Sequence, residues 1–160
     1  MRNGHREGMG EQTFANGNFF KGFWKDDKIN GQGKMKHADG DLYDGEWLDG
    51  KAHGQGVFLH KDGYRYVGQW QDDKMHGQGI ETWPDGSTYE GQYENGEKNG
   101  QGKLLLAEGS IFVGEFKNNN IEGHGKYIWA DGRQYNGQWV NNKMDGEGKM
   151  TYLDGKMYEG

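Results

Sequence analysis

The chain contains no cysteine, so no disulfide can staple it, which fits a reducing compartment. It has a single proline, Pro84, and no run of ~18 apolar residues, so no segment is read as a membrane-spanning helix. The opening residues lead into no apolar stretch, so no signal peptide is expected and a cytoplasmic protein is the default reading. Basic excess is also missing. A net charge of −6 argues against nucleic acid as a partner, because phosphate binding needs a basic footprint. It also weakens any general attraction to anionic lipid. Apolar residues make up only 31% of the chain, against the ~45–50% of ordinary domains. Yet aromatics reach 14%, and 31 of the 160 residues are glycine. Disordered chains are poor in aromatics, so the composition describes an ordered, glycine-rich and thin-cored protein.

The order is a repeat. Written in lines of 23, the chain aligns without a gap over residues 1–160, as one array. An aromatic recurs at Phe20, Tyr43, Tyr66, Tyr89, Phe112, Tyr135 and Tyr158, and these mark the starts of successive units. A glycine follows two residues later, from Gly22 and Gly45 through Gly137 and Gly160. Two more residues bring Trp24, Trp47, Trp70, Tyr93, Phe116 and Trp139. A Gly-x-Gly then recurs, as Gly54/Gly56 and Gly77/Gly79, and an acidic-Gly pair closes each unit, as Asp62-Gly63 and Asp85-Gly86. Residues 1–19 hold a partial unit with Gly8, Gly10, Asn16 and Gly17, and residues 158–160 begin another.

Each unit reads as a β-hairpin. Tyr43-Asp44-Gly45-Glu46-Trp47 alternates with period two. Asp49-Gly50 and its counterparts (Asp26-Asp27, Asp72-Asp73, Asn95-Gly96, Asn118-Asn119, Asn141-Asn142) are the residue types that tolerate positive φ in two-residue hairpin turns. Residues 54–60 form the second strand, and Asp62-Gly63 turns the chain back. No window has helical periodicity. The predicted fold is all-β: an elongated, twisted, single-layer antiparallel meander of about fourteen strands. One face, with positions 43, 45, 47, 54, 56, 58 and 60 and their repeats, is aromatic, glycine and apolar. The other is charged and polar, with Val57, Ile80 and Leu105 as exceptions. A dry face needs a cover, and no helix is present to supply one.

The pattern Tyr-x-Gly-x-Trp, then Gly-x-Gly, then Asp-Gly resembles the membrane occupation and recognition nexus (MORN) repeat. Tyr43-Asp44-Gly45-Glu46-Trp47, His53-Gly54-Gln55-Gly56 and Asp62-Gly63 carry the likeness, and it spans essentially the whole chain. The resemblance implies a curved β-meander used for scaffolding and for binding protein segments or lipids. Such arrays occur in junctophilins, some phosphatidylinositol-phosphate kinases, radial-spoke heads and protist cytoskeletal scaffolds. It therefore also implies a protein partner and a cytoskeletal, ciliary or membrane-peripheral location.

Two columns are expected to divide the work. Phe20, Tyr43, Tyr66, Tyr89, Phe112 and Tyr135 should pack inside the array, each ring lying over the bare backbone of a neighbouring glycine. Trp24, Trp47, Trp70, Trp83, Tyr93, Leu104, Leu106, Phe116, Trp129 and Trp139 should stay partly exposed and line a groove for a helical or extended protein segment. Positions 58, 60 and 81 are placed with that exposed set. Lys28, Lys51, Lys74 and Lys143 align at one turn position and carry the alternative, contact with anionic phospholipid. Asp26, Asp49 and Asp72, two residues away, oppose that alternative. Lys34, Lys103, Lys126 and Lys149 line the polar face. Open strand edges near 8–14 and 157–160 invite self-association. His37, His53, His60 and His76 are read as bonding turn backbone. No metal is assigned, since His53 and His76 stand about two strand spacings apart, ~10 Å, too far for one ion. No cofactor is implied either. The Gly-x-Gly copies precede no helix and so are no phosphate loops. With no Ser-x-Gly elbow and no cysteine, the chain is read as non-catalytic.

Overall fold

Strands of seven and nine residues alternate along the chain, because a bulge adds two residues to the second strand of each hairpin. In the computed structural model, which describes residues 7–159, the strands are β1 (Gly8–Thr13), β2 (Phe19–Lys25), β3 (Lys28–Lys36), β4 (Leu42–Leu48), β5 (Lys51–Leu59), β6 (Arg65–Gln71) and β7 (Lys74–Thr82). They continue as β8 (Thr88–Glu94), β9 (Glu97–Leu105), β10 (Ile111–Lys117), β11 (Asn120–Ile128), β12 (Gln134–Val140), β13 (Lys143–Thr151) and β14 (Met157–Glu159). No helix occurs among the described residues. Met1 and Gly160, the outermost repeat positions, and the side chain of Tyr158 lie outside what is described.

Contacts gather into two units, Met1–Glu81 and Thr82–Gly160. Each is an antiparallel meander in which sequence neighbours pair. The first unit shows this from β1·β2 through β5·β6, and the second from β8·β9 through β13·β14.

The short turns are as the sequence predicts. Asp49 and Gly50 have φ of 48° and 84°, Asn118 and Asn119 of 49° and 70°. Both central residues are left-handed, the conformation that matches strand twist in a two-residue hairpin. These turns are also stitched to the next unit. The Asp73 carboxylate accepts the Ala52 N–H at 2.7 Å, and Asn119 and Asn142 do the same for Lys98 and Ile121. The longer loops close differently. His60 N–H donates to the Tyr64 carbonyl and Gly63 N–H to the His60 carbonyl, with Gly63 at φ 106°. That is a three-residue loop ending in a left-handed glycine.

The second strand departs from the expected one. It begins directly after the turn, at Lys51 rather than Gly54, and contains a bulge. Gly45 faces Gly56 but Trp47 faces Ala52, so three residues of β5 stand opposite Glu46. Gly54 takes φ 79° there, and the Glu46 carboxylate caps the bulge by accepting the Gln55 N–H at 2.8 Å. Gln69 and Gln92 repeat the cap on Gln78 and Gln101. The bulge adds two residues and so keeps the alternation in phase, which places Ala52 on the same face as Gly56. Ile29 and Ala52 are thereby buried in the first unit's core, with Phe20, Trp24, Met35, Tyr43 and Trp47.

The ladder of first-column rings forms as expected. A Cβ added to Gly56 would stand 2.5 Å from Cζ of Tyr43, and one at Gly45 would stand 2.6 Å from the Gln55 carbonyl. Only glycine leaves room for the ring. The Tyr43 hydroxyl then donates to the Glu46 carbonyl at 3.0 Å, and Tyr66, Tyr89 and Tyr135 make the equivalent bond.

Candidate protein-binding face

The Trp column is not the exposed wall that the sequence predicts. Trp24, Trp47, Tyr93, Phe116 and Trp139 are buried, Trp139 to 5% exposure, and Trp70 is half-buried. The physical reason is twofold. Each indole N–H reaches a backbone acceptor: Trp47 donates to the Gly33 carbonyl at 3.0 Å, Trp70 to Gly56 at 3.2 Å and Trp139 to Gly125 at 3.0 Å. Each ring also meets two ladder rings edge-on. Tyr43 lies 4.9 Å from Trp47 and 5.2 Å from Trp70, at interplanar angles of 81° and 88°. In the second unit Phe112 is held between Phe116 at 5.4 Å and Trp139 at 5.3 Å. Edge-to-face pairing of this kind adds about 0.5–1.5 kcal/mol per pair beyond burial. The two columns form one zipper.

What remains open on the apolar face is the outer part of each second strand and the loop after it. Trp83, Leu104, Leu106 and Trp129 of the expected groove are half-buried there, as are Phe58, His60, Ile121 and Tyr127. In the second unit Trp83, Pro84, Leu104, Phe116 and Ile121 line a groove of about 520 Å³, with Asp85, Ser87, Lys98, Asn119 and Asn142 at its polar margin. Lys98 stands where other units carry Ile29, Ala52, Met75, Ile121 and Met144. Its ammonium lies 5.1 Å from the Trp83 ring centre and 5.3 Å from that of Tyr89, a cation–π placement that keeps the charge over the aromatic rings. Arg133 stands similarly over Trp129, at 5.3 Å. The Asp85 carboxyl is held below its ordinary pKa by the Ser87 hydroxyl and then by the Ser87 N–H, at 2.6 and 2.8 Å.

Position 81 is a second correction. Glu81 was expected among the exposed set, but it is 6% exposed, and the Tyr64 hydroxyl donates to its carboxylate. Burial first, and then Glu81, push the Tyr64 phenol well above its usual pKa. Two of the histidines depart from the expectation: Nδ1 of His53 and of His76 is buried without a hydrogen-bond partner rather than bonded to turn backbone. His60 does bond the turn, its Nδ1 accepting the Asp62 N–H at 3.2 Å, and it sits between the Asp62 and Asp41 carboxylates. Among the described residues no three metal-ligating side chains converge. Lys28, Lys51, Lys74 and Lys143 each open a second strand and are exposed, flanked by the turn acids and amides.

The column at Ile29, Ala52, Ile121 and Met144 was missed by the sequence reading because the second strand was read as starting at Gly54, after it. An apolar residue two places after every turn pair but the one before Lys98 was the available signal.

Comparison with known proteins gives a family and a fold. The MORN repeat matches residues 1–19, 20–42, 43–63, 66–88, 89–111, 112–132 and 135–157. A search of curated proteins finds no match. Among solved structures, the SAS-4 (dCPAP) TCP domain of Drosophila melanogaster, in complex with a proline-rich motif of Ana2 (dSTIL), is 17% identical with a TM-score of 0.55, covering 95% of this chain and 88% of that one. A G-box domain of the microcephaly protein CPAP is 15% identical with a TM-score of 0.47, covering 96% and 98%. The first is a likeness of fold.

Proposed function

The chain belongs to the MORN-repeat family, and from that premise we propose that it is a non-catalytic scaffold that binds an extended segment of a partner protein along the open part of its apolar face. The observation that carries this reading is the groove between Trp83, Leu104, Phe116 and Ile121 in the second unit. It is apolar at the floor, has fixed charges only at its margin, and no element of that unit covers it. Its floor cannot collapse, because Phe116 is locked in the aromatic zipper. A pre-formed apolar surface of this kind gives affinity by removing apolar area from water, at about 25 cal/mol per Å². The TCP domain that shares the fold was solved with a proline-rich motif, and this supports an extended rather than a globular occupant. A cytoskeletal setting for this chain is part of the same proposal.

The test is site-specific photo-crosslinking from Leu104 against Lys126 on the opposite face, followed by binding of the purified partner to Trp83→Ala. Crosslinking from Leu104 alone, with affinity lost in Trp83→Ala and melting temperature kept, supports the scaffold reading. Partner contact through Lys126 alone, with Trp83→Ala binding normally, overturns it.

A further inference from the structure

The face opposite the groove is not uniformly polar in the second unit. Register places Lys103, Val113, Lys126, Asn136 and Lys149 in one row as consecutive cross-strand partners, with Glu90 beside Lys103 and Glu159 beside Lys149 closing its two ends. One row over, Leu105, Ile111 and Ile128 are likewise consecutive partners. Val113 is 46% exposed and Leu105 36%. The three lysines are exposed and make no ion pair among the described residues. An apolar strip therefore runs across β9, β10 and β11, bordered by a line of unpaired cations.

We propose that this outer face is a second docking surface, which receives an amphipathic helix with acidic residues seven apart along one edge. Charge complementarity and spacing argue for that occupant. Alternate strands are about 9.6 Å apart, so Lys103, Lys126 and Lys149 repeat at that interval. Seven residues of helix rise about 10.5 Å. A helix laid across the strands brings carboxylates at positions i, i+7 and i+14 near the three ammonium groups. Its apolar stripe then falls on Leu105, Ile111, Val113 and Ile128. No described residue of this chain is helical, and the occupant proposed is a segment of a partner protein. A lipid surface fits less well. Val113 stands in the same row as Lys103 and Lys126, and the longer lysines hold a flat bilayer away from it.

The probe is a fluorescent helical peptide of about 18 residues, roughly five turns, with a leucine stripe and glutamates seven apart. The control carries lysines at those places. Anisotropy is read with wild type, with Lys103→Glu/Lys126→Glu, and with Trp83→Ala. The glutamate peptide should bind wild type and weaken in high salt. The double charge reversal should lower its affinity about tenfold, since two attractive pairs are turned into repulsion. Trp83→Ala should leave it unchanged, which separates this site from the groove. Equal binding of the lysine peptide, no binding of either, or binding lost in Trp83→Ala overturns the proposal. Binding only to phosphatidylserine-containing vesicles, with neither peptide bound, also overturns it and assigns the lysine row to lipid.

Discussion

Replacing Gly56 by alanine tests how the array is held together. The residue lies in ordinary strand conformation, so the substitution carries no left-handed strain. By itself it should stabilise by about 0.4–1 kcal/mol through the unfolded chain. The structure predicts the opposite sign. The new methyl would stand 2.5 Å from Cζ and 2.7 Å from Cε2 of Tyr43. The ring cannot slide away, because Trp47 and Trp70 meet it edge-on at 4.9 and 5.2 Å. Expelling it breaks the hydroxyl bond to the Glu46 carbonyl, about 1 kcal/mol, and two edge-to-face pairs, about 0.5–1.5 kcal/mol each. A net loss of about 2 kcal/mol is expected, measured by urea unfolding with a shared m-value. The decisive arm is a double-mutant cycle. With Tyr43→Ala already in place the ring atoms nearest the methyl are gone, so Gly56→Ala should be neutral or slightly stabilising. If Gly56→Ala costs less than about 1 kcal/mol, or costs the same with and without the Tyr43 ring, the ring-over-glycine account is wrong.

Trp70→Ala should destabilise by about 3 kcal/mol, as removal of a packed aromatic does, while the folded fraction keeps its partner affinity. Urea unfolding and calorimetry on one preparation check both halves. Tyr43, Tyr64 and Tyr66 are pushed above the ordinary phenol value of 10.0, first by burial. A raised folded pKa means that their contribution is fully present below pH 10 and is lost as pH rises further, because the unfolded chain gives up its protons first. Tyrosinate absorbance should therefore rise in two stages, the second coinciding with loss of near-ultraviolet dichroism, and a single early rise would contradict the burial. Flotation with anionic vesicles should be weak at both low and high salt if the turn lysines Lys28, Lys51, Lys74 and Lys143 are ordinary surface charges; strong low-salt flotation that is abolished by their neutralisation would restore the lipid reading.

The alternation of aromatic, glycine and turn residues made most of this fold readable. Asp49-Gly50 and Asn118-Asn119 announce left-handed turns by residue type alone, and the Tyr43–Gly56 pairing follows from the repeat phase. Two features were not readable. The bulge around Gly54 sets three residues of β5 opposite Glu46, which a period-two pattern cannot express, and with the second strand read as starting at Gly54 the Ile29 and Ala52 column before it went unseen. The burial of the Trp column depends on backbone carbonyls fourteen residues earlier in the chain, as for Trp47 and Gly33. Side-chain patterns carry no trace of a backbone acceptor. Of the expected groove, Trp83, Leu104, Leu106 and Trp129 stay half-open, while Trp24, Trp47, Tyr93, Phe116 and Trp139 are taken up by internal packing. Glu81 is hidden for another reason: its partner, Tyr64, sits at a repeat position held by Asp41, Ser87 and Ser110 in neighbouring units.

The central claim is that the zipper holds the array while the open lane beside it recognises a partner. Trp139 and Trp83 separate those roles within one unit. Trp139→Ala and Trp83→Ala should be compared by thermal melting and by titration with the partner identified from Leu104 crosslinking. The account predicts that Trp139→Ala lowers the melting temperature, with normal affinity in the folded fraction, and that Trp83→Ala keeps the melting temperature but loses affinity. The reverse pattern, with Trp139 carrying affinity and Trp83 carrying stability, would contradict it.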